Sequence, residues 1–76
     1  MIRQLDTVVL TRDAPEHGLR AGDVGAVVHA PDSGAGYEVE FVSADGTTVA
    51  VLTLGASDVR LMDAREILHA RTLTRV

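Results

Sequence analysis

An all-β fold, a small five-stranded barrel or sandwich, is what this sequence predicts. Three observations carry the prediction. Five short runs rich in β-branched and apolar residues recur along the 76-residue chain. Each run is bounded by Gly, Pro, Asp or Ser, the residues that reverse a chain. No helix interrupts the five runs, and the one ambiguous segment comes after them.

The elements follow in order. LDTVVLT, residues 5–11, alternates and is β-branched, so it reads as the first strand. RDAPEHGLRAGD, residues 12–23, is rich in Pro, Gly and charge and reads as a loop. VGAVVHA, residues 24–30, is the second strand, ended by Pro31, which has no N–H to give a ladder. A turn over 32–36 leads to YEVEFV, residues 37–42. There Tyr37, Val39 and Phe41 take one face and Glu38 and Glu40 the other. Asp45-Gly46 closes a hairpin, because Gly supplies positive φ. TTVAVLTL, residues 47–54, returns, and VRLM, residues 59–62, is a brief fifth strand. The predicted core is Val8, Leu10, Val27, Tyr37, Val39, Phe41, Val49, Val51 and Val59. Of the glycines in GLRAGDVGAVV, Gly18 and Gly22 belong to the turn. Gly25 lies inside the strand, where it marks a bulge or a close backbone approach.

The domain is read as residues 1–62, with 63–76 as a C-terminal extension. Asp63 and Glu66 have capping-box spacing and favour a short helix. EILHARTL also alternates, so an added strand is the alternative.

Composition excludes several functions. There is no Cys, hence no disulfide and no thiolate metal site. The N-terminus lacks a signal-peptide apolar region, and no run is long enough to span a bilayer, so a cytoplasmic protein is expected. The net charge is -4, and every basic residue is Arg. That balance opposes general affinity for nucleic acid. Two aromatics, Tyr37 and Phe41, cannot make a stacking platform. The glycines fit no P-loop, since no Lys exists in the chain. His17, His29 and His69 have no metal-ligand spacing, and Ser33, Ser43 and Ser57 fall in turns. No catalytic residue, metal or cofactor is expected.

The pattern G-x-R-x-G-D-x-G-x-V-V resembles the KOW-type segment of SH3-like barrels, where a glycine turn leads into a bent strand. Together with YEVEF and the terminal EILHAR, it makes the chain similar to a small prokaryotic family of SH3-like proteins whose function is unknown. A looser likeness is to the barrel of the nitrile hydratase β subunit and to small photosynthetic accessory barrels. The resemblance implies an SH3-like barrel and no known activity. Members of such families are often encoded beside another small protein. A non-enzymatic protein-interaction module is therefore expected, with the antitoxin or regulatory half of a two-gene pair as one form of it. The partner is a protein, or a second copy of the chain. The expected contact residues are Arg65, Glu66, Ile67, Leu68, His69, Arg71 and Leu73, because the segment mixes apolar side chains with Arg. A KOW-like RNA-binding domain is the alternative, using Arg12 and Arg20 beside the long loop.

Overall fold

The computed structural model describes residues 1–33 and 35–73. Five strands form one antiparallel sheet: β1 Thr7–Leu10, β2 Val24–His29, β3 Tyr37–Val42, β4 Thr48–Leu54 and β5 Val59–Leu61. Their order is β4-β3-β2-β1-β5. The helical content among the described residues is one 3-10 turn, Pro15–His17. None of the described helices is long and apolar enough to cross a membrane.

The pleat sorts the side chains. Val8 and Leu10 of β1, Val27 of β2, Val39 and Phe41 of β3, Leu54 of β4 and Val59 of β5 meet in one buried cluster. A flat sheet cannot gather one face into one cluster without a second layer. This sheet curls instead, and Leu54 and Val59, from its two terminal strands, share the core. The link between those strands is tight: Gly55 N–H donates to Asp58 Oδ2 (2.9 Å) and Asp58 N–H to Gly55 O (3.0 Å).

The β3–β4 hairpin forms as its sequence predicts. Gly46 N–H donates to Ser43 O at 2.9 Å, and Gly46 adopts φ +87°. Gly25 also behaves as expected, through close approach. A Cβ there would lie 2.7 Å from Val39 Cγ1, 2.9 Å from Phe41 Cε1 and 3.0 Å from Glu40 O. The register irregularity of β2 falls later, between Val27 and His29. Gly34, within the predicted 32–36 turn, lies outside the described residues.

Three expectations change. First, β4 has the opposite phase. Its register pairs Tyr37 with Leu54, Val39 with Leu52 and Phe41 with Ala50, so Ala50, Leu52 and Leu54 face inward. Val51 is 51% exposed, Val49 and Tyr37 are half-buried, and Leu54 is the buried residue. A register shift opposite Phe41 and Val42 sets this phase, and a one-residue slip moves every side chain to the other face. Second, the 12–23 segment is more than a connection. Ala14 and Leu19 bridge one another, with N–H···O distances of 2.9 and 3.1 Å, and both side chains enter the core.

Third, residues 63–73 form neither helix nor strand. Half of the capping box is present: Asp63 N–H donates to Glu66 Oε1 at 2.7 Å, and Glu66 N–H to Asp63 O at 3.0 Å. One turn results, and then the chain leaves it. The Glu66 carboxylate is also held by Arg60, and the following residues are drawn across the sheet by a distant partner. Residues 74–76 of the predicted extension lie outside the described residues.

Candidate interaction surface

β1 breaks its own alternation. Val8, Val9 and Leu10 are all buried, yet Val9 is absent from the core cluster. It points to the outer face, in register with Val24 on β2 and Arg60 on β5. Something must cover it from outside. Val9, Val24 and Val42 floor a half-open cavity of about 560 Å³, and the other wall is the segment from Glu66 to Leu73. The tail is thus a strap laid over the outer face of the sheet.

Ion pairs pin the strap at both ends. At its start, Arg60 Nη1 and Nη2 donate to Glu66 Oε1 and Oε2, each at 2.7 Å. At its far end, Arg71 Nε donates to Asp23 Oδ1 at 2.9 Å. Its Nη2 bonds both Asp23 Oδ2 and the Gly18 carbonyl, the latter at 3.0 Å. These are fork-on-carboxylate contacts, which fix orientation as well as distance. The Arg71–Asp23 pair is the more enclosed, with side chains 21% and 18% exposed. Burial pushes the Asp23 carboxyl up, but the Arg71 guanidinium and the Arg20 amide outweigh it and hold it below the ordinary carboxylate value. Arg60 and the Asp63 amide hold Glu66 at about 2.

Between the pins the strap presents apolar groups to water. Ile67 is 90% exposed and Leu68 72%, with His69 exposed beside them. Of the expected contact residues, Glu66, Ile67, Leu68, His69, Arg71 and Leu73 all line the cavity. Arg65 stands apart from that cavity, its side chain 92% exposed and its Nε 3.5 Å from Asp63 Oδ1. Asp23 was not foreseen as a contact. Its only sequence signal is its place after the glycine turn, where the loop enters β2.

The glycine loop spends its amides internally. The N–H groups of residues 18 to 23 donate in turn to Pro15 O, Ala14 O, Asp23 Oδ2, Asp13 Oδ1, Leu10 O and Arg20 O. A cradle for phosphate needs such groups unpaired. Of the two arginines proposed for RNA, Arg12 Nε is committed to Asp58 Oδ1 at 2.9 Å and its Nη1 to Asp13 O at 3.1 Å. Arg20 is exposed. Among the described residues, no group of three or more His, Cys, Asp or Glu is placed to hold a metal ion.

Comparison with known proteins finds one family. The model of a family described as a domain of unknown function, DUF4926, matches residues 4–61. The match contains all five strands and Asp23 but stops before the strap, so the EILHAR segment lies outside it. No curated protein and no solved structure matches.

Proposed function

The chain belongs to the DUF4926 family, and on that premise we propose that it is a non-enzymatic protein-interaction module built on an SH3-like barrel of KOW type. The strand order β4-β3-β2-β1-β5 and the glycine turn before β2 support that fold reading. The partner surface is the strapped outer face. One observation carries this: Ile67 and Leu68 stand in solvent beside a groove floored by Val9, Val24 and Val42. Contiguous exposed apolar groups with a polar rim mark a docking site. Arg60, Glu66, Asp23 and Arg71 form that rim. The antitoxin or regulatory half of a two-gene pair is the specific form of this reading. RNA binding is less well supported, because Arg12 is already paired with Asp58 and the chain is acidic overall.

The test is co-expression with the product of the adjacent gene, followed by co-purification. The double variant Ile67→Asp, Leu68→Asp alters only exposed side chains, so its melting temperature stays within a few degrees of the parent. The expected result is a complex with the parent chain and none with the variant. A complex that survives the double substitution, or no complex with the parent, overturns the reading.

A further inference from the structure

We propose that β4 is a self-pairing edge, through which two copies of this chain join antiparallel about a two-fold axis. The sheet has two terminal strands, and they differ sharply. β5 has three residues, carries Arg60, and runs at once into the Asp63–Glu66 turn. β4 has seven, TVAVLTL, with no charge, no Pro and no Gly. Natural edge strands are blunted by shortness, charge, proline or bulges. The one such device here, the register shift opposite Phe41 and Val42, sits at the start of β4 and leaves residues 50–54 regular. Among the described residues no strand pairs beyond β4. The consequence shows in burial. Ala50 and Leu52 face the core side yet remain only half-buried, because their flank is open.

The strand's own chemistry selects a second copy as occupant. A two-fold axis sets a strand against itself, so any charge on it meets its like. β4 has none. With the axis at Leu52, Ala50 falls opposite Leu54 and Val51 opposite Thr53. On the inner face a small side chain meets a large one, and on the outer face two β-branched residues meet, a favourable cross-strand pair. The whole regular run is used. Glu38 and Glu40 lie one strand further in, on β3, and Asp58, which accepts the Gly55 N–H at the end of β4, is paired with Arg12. Across the pair the two copies of β3 are three strand spacings apart, about 14 Å. That exceeds the Debye length of about 8 Å at physiological salt. Glu40 also accepts a hydrogen bond from Thr48 Oγ1 at 2.6 Å.

The test is sedimentation equilibrium of the full chain across the micromolar range. The expected mass is twice the 8.0 kDa of one chain. Val51→Lys with Thr53→Lys, made together with Glu38→Gln and Glu40→Gln so that no carboxylate on β3 neutralises the lysines, places charge opposite charge at two exposed positions, and the expected product is a monomer with an unchanged circular dichroism spectrum. Leu52→Cys provides a second readout that does not depend on that variant. The chain has no cysteine, and antiparallel partners lie within disulfide reach. Oxidation then gives a covalent dimer, whereas Leu61→Cys on the opposite edge gives none. A monomeric parent at every concentration overturns the proposal. So does a dimer that persists in the double-lysine variant, or one that Leu52→Cys fails to capture. The Ile67→Asp, Leu68→Asp variant keeps the dimer, so failure here and failure of the strap as partner surface are separate results.

Discussion

Arg71 reaches back across forty-eight residues to hold Asp23, Nε to Oδ1 at 2.9 Å, with the Gly18 carbonyl taking a further hydrogen bond. Among the described residues of the tail, no regular secondary structure accompanies this contact. A planar side chain thus anchors the far end of an otherwise irregular segment, and it does so at the glycine turn that starts β2.

The fork geometry should matter more than the charge. Arg71→Ala is expected to cost about 1.5–3 kcal/mol, the range for hydrogen bonds to charged groups. Arg71→Lys is expected to recover only part of that loss, because an ammonium cannot bridge both carboxylate oxygens and the Gly18 carbonyl in one plane. Urea denaturation of the three proteins gives the ranking. Equal stability of the lysine and arginine forms would show that charge alone suffices.

Acid should loosen the strap. Asp23 and Glu66 both have lowered pKa values in the folded state. Their contribution is therefore full above the unfolded values and disappears as pH falls through the folded ones. For Glu66 that window runs from 4.5 down to about 2. The side-chain carboxyl carbon chemical shifts of Asp23 and Glu66 should stay constant above pH 5 and move below it. Movement on raising the pH from 5 to 8 instead would contradict the assignment.

Two glycines should fail for different reasons. Gly25→Ala forces a methyl against Glu40 O and the side chains of Val39 and Phe41, and overpacking of this kind costs roughly 1–3 kcal/mol. Gly46→Ala meets nothing within 4 Å, but Gly46 has φ +87°, so its cost of about 1–2 kcal/mol is backbone strain. Asn, which tolerates positive φ, should rescue position 46 and worsen position 25. Thermal melts of the four variants separate the two mechanisms.

Phe41 is 2% exposed and belongs to the core cluster. Phe41→Ala is expected to cost roughly 3–5 kcal/mol. A domain this small lies near the low end of the usual stability range, so the variant should keep little or no net stability at room temperature. Loss of the cooperative melt is the measurement.

The legible parts of this sequence were those with polar contrast. In Y-E-V-E-F the glutamates name the outer face, and the register pairs Val39 with Leu52 and Glu40 with Val51, as that alternation requires. VAVLTL offers no such contrast, since Val, Ala and Leu suit either face. Only the register shift beside Phe41 decides that Val51 faces water and Leu54 the core. The loop hid its two core residues because Ala14 and Leu19 stand among Asp, Pro, Glu, His and Gly. The strap was legible as a docking segment but not in its conformation. Asp63 and Glu66 promised a helix, and the deciding partners, Arg60 and Asp23, come from other parts of the chain.

Asp23 also joins three segments at one residue. Its carbonyl accepts the Leu10 N–H at the end of β1 (2.8 Å), its carboxylate accepts the Arg20 N–H of the glycine loop (2.8 Å), and the same carboxylate holds Arg71. Any equilibrium that lifts the strap and any equilibrium that orders the loop therefore share a term in their free energies. Such sharing is reciprocal by thermodynamic necessity. Whatever stiffens residues 18–23 makes the strap harder to displace, and whatever displaces the strap leaves the loop with one restraint fewer, by the same amount of free energy in each direction.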